Sequence, residues 1–215
     1  TAPATIGRGI IRFNDDEVCE LERQYDNDKK YYDIIKFVPA SGAASRMFKT
    51  IFSFVDEYKG KEIPNNFLKK EKIKPDSIEN FFISIHDFAF FNDLKTALKE
   101  KGKDIEEMLV NNELVEIAET LLNAEGLNYG SLPKGLLKFH QYGDDARLAI
   151  EEHLVEAAEY STADTKEGRV AQLHFTVSQE HLDIFKETVA KVVPEYETRF
   201  GIRYDISFSV QKPST

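Results

Sequence analysis

Two spacings of apolar side chains alternate along the chain. Ile34-Ile35-Lys36-Phe37-Val38 reads as a strand and runs into Pro39-Ala40-Ser41-Gly42-Ala43-Ala44-Ser45-Arg46, a turn of small residues. Met47, Ile51, Phe54, Val55 and Tyr58 then share one face of a helix. Strand, tight turn and helix in that order open a βαβ unit. Residues 14–25 predict a short polar helix ahead of it.

The next stretch, about eighty residues, carries the helical period throughout. Pro75-Asp76-Ser77 starts a helix bearing Ile78, Phe81, Phe82 and Ile85. A second runs through Leu94, Ala97 and Leu98 to Gly102, and a third covers residues 104–124 and stops near Gly126. Phe81, Phe82, Phe88, Phe90 and Phe91 crowd this stretch and predict a compact helical core, with an aromatic ligand box as the alternative. Residues 132–140, marked by Pro133 and Gly135, read as a loop or short extended piece. Residues 144–160 read as one amphipathic helix, with Ala146, Ala149, Ile150, Leu154, Ala157 and Ala158 inside. A strand over 169–177 follows, then a helix capped by Ser178 that buries Leu182, Phe185, Val189, Val192 and Tyr196. Pro194 predicts a kink or early end to that helix, and residues 202–210 alternate as a third strand.

Helix, strand, helix, strand after a long excursion implies parallel pairing. The expected fold is therefore α/β, a parallel three-layer Rossmann-like sheet with a large helical insertion after the first helix. Residues 1–58 would hold the N-terminal helix, first strand, phosphate loop and first helix. Residues 59–130 would be the insertion, and 131–215 the rest of a nucleotide-binding half-domain. The chain stops at Gln211-Lys212-Pro213-Ser214-Thr215, directly after a strand, which predicts the front portion of a longer protein.

Composition narrows the class. Apolar residues make up 41% and charged residues 31%, the balance of a soluble chain with a real core. No apolar run is long enough to span a bilayer, and no signal-peptide pattern opens the chain. The lone cysteine, Cys19, fits a reducing compartment, so a cytoplasmic location is expected. A net charge of −10 argues against broad binding to nucleic acid or an anionic membrane, and leaves room for a small phosphate pocket. The oligomeric state is open.

Three constellations could carry chemistry. In the first, Pro39 to Ser45, small residues let the backbone curl close to an anion, and the amides ahead of the helix point at it. Arg46, at the helix start, can place a forked donor on phosphate oxygens. The same residues would also serve a plain tight turn, with Arg46 paired to a surface acid. In the second, Leu132-Pro133-Lys134-Gly135-Leu136-Leu137, the proline stiffens the backbone before Lys134 and the glycine permits an unusual turn after it. That arrangement can aim a mobile positive charge into a pocket, or leave a solvated surface lysine. In the third, Gln211 ends a strand, where its amide can hydrogen-bond a nucleobase edge.

Phe37-Val38-Pro39-Ala40-Ser41-Gly42-Ala43-Ala44-Ser45-Arg46-Met47 resembles the opening of the sugar nucleotidyltransferases, an apolar strand followed by Ala-x-Gly-x-Gly-Thr-Arg-Met or Leu. Their second signature, Pro-Lys-x-Leu-Leu, is similar to Pro133-Lys134-Gly135-Leu136-Leu137, and Gln211 stands where they place a base-reading glutamine. The whole chain, including Glu151-Glu152-His153-Leu154 and Leu173-His174-Phe175-Thr176-Val177-Ser178, more closely resembles a bacterial family of unknown function numbered 4301, whose members are longer. The first resemblance implies a nucleotidyltransferase-like fold that binds a nucleoside triphosphate. It implies transfer of a nucleotidyl group to a phosphorylated acceptor such as a sugar 1-phosphate. Pro39, Ala40, Ser41, Gly42, Ala43, Ala44 and Ser45 would hold base and phosphates, Arg46 the β- and γ-phosphates, Lys134 the α-phosphate or acceptor phosphate, and Gln211 the base. Magnesium is implied too, although its usual aspartate has no match here. Ala44 and Ser45 replace the usual glycine and threonine, and the signatures lie far apart. A non-catalytic nucleotide- or phosphometabolite-binding module of the same fold is the alternative. A dinucleotide-binding domain is weaker, since Gly-x-Gly-x-x-Gly is missing.

His86, His140, His153, His174 and His181 show no zinc-ligand spacing and read as structural, with His140, near Lys134, the one that merits a test.

Overall fold

The computed structural model describes residues 2–69, 73–165 and 168–212. A small pair of strands, β1 (Thr5–Ile6) and β2 (Gly9–Ile10), precedes helix α1 (Asp15–Asp28). Asn14 caps that helix: its side chain accepts from the Glu17 amide while Glu17 accepts from the Asn14 amide. Strand β3 (Ile35–Pro39) follows, then α2 (Lys49–Tyr58), α3 (Ile78–Ile83), α4 (Phe91–Glu100), α5 (Ile105–Val110) and α6 (Leu114–Leu122). The hairpin β4 (Lys138–Tyr142) and β5 (Asp145–Leu148) leads into α7 (Ala149–Tyr160), β6 (Thr162–Thr165), β7 (Gly168–Val177), α8 (Leu182–Phe200) and β8 (Arg203–Val210).

Strand β7 is the spine of the sheet. β8 pairs parallel along one edge, from Val170 to Val177. The other edge is shared end to end: β6 pairs antiparallel with residues 168–171, and β3 pairs parallel with residues 172–176. The fold is thus mixed α/β with parallel strands at its centre. Alternation along β7 decides the layering. Ala171, Leu173, Phe175 and Val177 are buried against Ile150, Leu154 and Ala157 of α7 and Phe185, Val189 and Tyr196 of α8. The intervening Gln172, His174 and Thr176 turn to the other face, in register with Ile35, Phe37 and Pro39 on β3 and with Asp205, Ser207 and Ser209 on β8. There His174 hydrogen-bonds Ser207 and Ser209, both at 2.8 Å, and stacks on Phe37, which is 61% exposed. Among the described residues the helices cover one face only. The expected three-layer sheet is therefore two-layered among the described residues: β7 and β8 turn mostly polar side chains to the open face, and Ile35 and Phe37 of β3 stay exposed there.

A second core is mainly helical. Phe54, Phe82, Leu94, Leu98, Ile117 and Leu121 are its buried centre, and Ala44, Phe48 and Ile51 join it. The first helix after β3 therefore turns away from the sheet rather than packing back onto it. Met47, placed by spacing on its buried face, is 44% exposed, because α2 starts later, at Lys49.

Other expectations yield to local backbone. Residues 145–148 form β5 and not the first turn of a helix. Gly143, at φ +64°, makes the two-residue turn that reverses the chain. Residues 104–124 form two helices, because Asn112 takes the left-handed conformation at φ 57° between α5 and α6. Helix α8 passes through Pro194 to Phe200. Val189 and Tyr196 are buried on either side of that proline, which offsets the one backbone hydrogen bond it removes.

One ion pair ties β3 to α7. Lys36 Nζ lies 2.5 Å from Glu156 and also donates to the Tyr160 hydroxyl. The lysine hydrogen bond holds the Glu156 carboxyl below its ordinary value of 4.5, against partial burial. Burial lowers the Lys36 value, but the hydrogen bonds and charges of Glu156 and Tyr160 more than restore it. A depressed carboxyl stabilises the fold above its unfolded value and loses that contribution as pH falls through the folded one. Urea midpoints measured from pH 6 downward should therefore drop less steeply below about pH 4.5 in Glu156→Gln than in wild type.

Candidate functional site at the carboxyl edge of the sheet

Because β3, β7 and β8 are parallel, the segments leaving Pro39, Val177 and Val210 emerge on the same side. Parallel sheets place their ligands there. The amide of Ala40 donates to the Thr176 carbonyl at 2.7 Å, and that of Gln211 to the Val177 carbonyl at 2.8 Å. Ser41 Oγ donates to Gln211 Oε1, bridging the ends of β3 and β8 across β7. Gln211 keeps its side-chain NH2 group for other partners.

The loop after β3 meets the loop before β4. Lys134 N donates to the Gly42 carbonyl at 3.1 Å and Ala44 N to the Leu132 carbonyl at 3.3 Å, with Ala43 opposite Pro133. These bonds zip two segments some ninety residues apart into one ridge. The ridge spends the amide of Ala44, and the bond to Thr176 that of Ala40. The amides of Ser41, Gly42, Ala43, Ser45 and Arg46 have no acceptor among the described residues. A Cβ built on Gly42 meets nothing within 4 Å, so open space stands over the loop.

Lys134 begins a short 3₁₀ turn, Lys134–Leu136. Gly135 lies flush on Phe185, where a Cβ would come within 2.8 Å of the ring. Lys134 is exposed, has no ion-pair partner among the described residues, and lines a cavity of about 150 Å³ with Pro39, Ala40, Gly42 and His153. Arg46 is exposed and unpaired among the described residues. It sits in the turn closed by the Met47 amide on the Ala44 carbonyl, ahead of the helix and not at its start. Arg46 does not line the cavity. The structure thus gathers Pro39 to Ala43, Lys134 and Gln211 at one edge and sets Ser45 and Arg46 beyond them.

His181 was legible only as a structural histidine, and it braces this edge. Its Nε2 donates to the Ser131 carbonyl at 3.2 Å, so Nδ1 accepts from the Ser178 hydroxyl at 2.7 Å. Ser178 therefore bonds this ring rather than capping a helix amide, and the 131–137 loop is tied to the end of β7. The signal was the Ser-x-x-His spacing at a helix entry. His140 turns elsewhere: its Nδ1 lies 3.2 Å from Glu152, whose other oxygen lies 3.4 Å from Arg147.

The magnesium implied by resemblance would need carboxylates at this edge. The segments there offer hydroxyls, an amide, a lysine and the exposed carboxylate of Glu180. Among the described residues no group of three His, Cys, Asp or Glu side chains could hold a metal ion. Nor is any described helix long and apolar enough to cross a membrane.

Residues 1–215 match the family model described as Domain of unknown function (DUF4301). No curated protein and no solved structure matches the chain.

Proposed function

The chain belongs to this domain family of unknown function, and we propose that it binds a phosphorylated small molecule at the carboxyl edge of its sheet, with a nucleoside triphosphate as first candidate. The supporting observation is the zipped ridge, which sets the unpaired Lys134 beside unspent amides of Ser41, Gly42 and Ala43. Amides and an ammonium around open space suit phosphate oxygens, since charge-assisted hydrogen bonds are the strongest a protein offers without a metal. The small cavity beneath Lys134 has room for one phosphoryl group. A nucleoside would lie over Gly42, within reach of the free NH2 of Gln211. Arg46, farther along, would meet the outer phosphates.

Nucleotidyl transfer to a phosphorylated acceptor, such as a sugar 1-phosphate, is the activity such a site would host through positioning and charge neutralisation. That chemistry calls for a carboxylate-held cation, and among the described residues no cluster of three His, Cys, Asp or Glu ligands stands at this edge. The donors present favour the binding module over the complete enzyme.

Isothermal titration with UTP, GTP, CTP, ATP and inorganic pyrophosphate tests the site. One or more triphosphates should bind. Lys134→Ala should weaken that binding by about tenfold, the loss of one charge-assisted contact, with Arg46→Ala acting in the same direction. Both side chains are exposed, so neither change should unfold the chain. Absence of binding by all five compounds at millimolar concentration would overturn the proposal.

A further inference from the structure

A larger cavity lies in the helical part, on the far side of the turn that carries Arg46. It measures about 340 Å³, within the usual range of small-molecule pockets, and is open on one side. Its wall is a continuous run of rings. Phe81 and Phe88 lie 5.3 Å apart, Phe88 stacks on Phe90 at 5.1 Å and 12°, and Phe90 meets Tyr129 edge-on at 5.5 Å. Around the mouth stand Met47 and Phe139, 44% and 41% exposed, with Phe88 at 36%. Scattered exposed apolar side chains need no explanation, but three of them gathered around one concavity do.

The charges facing this space are unbalanced. Asp76, Asp87 and Lys138 line it. The lysine is neutralised from outside the lining by Asp93, at 2.7 Å. Asp76 and Asp87 have no ion-pair partner among the described residues. Burial raises the Tyr129 hydroxyl to about 12, so it stays neutral and adds no charge of its own to the cavity. An aromatic wall beside uncompensated negative charge attracts a cation from both sides, through the ring faces and through the carboxylates. It repels phosphates and carboxylates.

We propose that this cavity is a binding site for a planar aromatic amine, its ring lying on the Phe81–Phe88–Phe90 wall and its ammonium directed to Asp87 and Asp76. The site is separate from the phosphate-binding edge, and its ligand has the opposite charge.

The chain contains no tryptophan, so the indole of tryptamine can be excited selectively and followed by its own fluorescence. Titrating protein into tryptamine should give a saturable blue shift and a rise in anisotropy. Phe88→Ala should weaken binding by about tenfold, and Asp87→Asn several-fold. Both residues are exposed, and circular dichroism is the check that each variant is folded. Indole-3-acetate, the same ring with the charge reversed, should bind at least about tenfold more weakly. Failure of tryptamine to saturate at millimolar protein, equal binding by folded Phe88→Ala, or equal binding of indole-3-acetate would each overturn the proposal.

Discussion

Phe175→Ala should lower the free energy of unfolding by about 3–5 kcal/mol, the cost of emptying a closed aromatic site. Phe175 is fully buried at the middle of the spine strand. Its ring stacks on Phe208 at 5.8 Å and faces Phe185 at 6.5 Å, joining β8 to α8 through β7. No neighbour can swing into the vacancy without leaving its own layer. The informative companion is Phe37→Ala. Phe37 lies one strand away but on the opposite face, 61% exposed. Its loss should cost less than about 1 kcal/mol. Urea titrations of the two variants read the layering directly: comparable losses would mean that both faces of the sheet are covered.

Gly126→Ala should cost about 3 kcal/mol or more, through a different mechanism. A Cβ there would stand 1.9 Å from the Thr120 carbonyl oxygen and 2.7 Å from its carbon. These are backbone atoms, so no rotamer relieves the clash. The segment around Gly126 also closes the end of α6: Leu127, Tyr129 and Gly130 donate to the carbonyls of Thr120, Leu121 and Leu122 at 2.8, 3.0 and 3.0 Å. Pushing it away strips the last turn of those partners. Gly42→Ala supplies the contrast, since its Cβ would meet nothing and its backbone is not left-handed. That variant should melt within a few degrees of wild type, as surface changes do. A similar melting temperature for Gly126→Ala would mean that the turn after α6 has another conformation.

The glycine at 126 shows how much of the fold sequence reading reached. It was legible as a helix stop, yet its tight approach to the preceding helix belongs to tertiary packing. The three principal strands were legible, β7 and β8 by their alternation and β3 as a short apolar run ahead of a small-residue turn. That same alternation, with Gln172, His174, Thr176, Ser207 and Ser209 on one face, also announced a sheet open on one side. Parallel order suggested three layers, and the polar face outweighs it. The hairpin at 138–148 escaped because Ala146 continues the spacing of α7 backward, and Gly143 is a single weak mark against it. At the candidate site, the small-residue loop and Lys134 stood out by residue type. Their adjacency did not, since three backbone contacts between distant segments leave no periodic trace. His181 was hidden because its role depends on the Ser131 carbonyl, which any residue could supply. The aromatic cavity was legible only as the lesser alternative, because rings lining a space and rings filling a core have the same spacing.

The zipped ridge between residues 42–44 and 132–134 also bears on how the chain finds its structure. Joining Ile35 to Gln172 directly would close a very long loop, the most demanding pairing in the molecule in contact-order terms. Contacts among helices α2 to α6 close shorter loops than the β3–β7 pairing does, and once these helices collapse into their shared core they bring the two flanking segments together. From then on β3 and β7 are separated by two short arms rather than by the whole excursion. Sheet formation should accordingly follow helix collapse, with the ridge as the step that joins them.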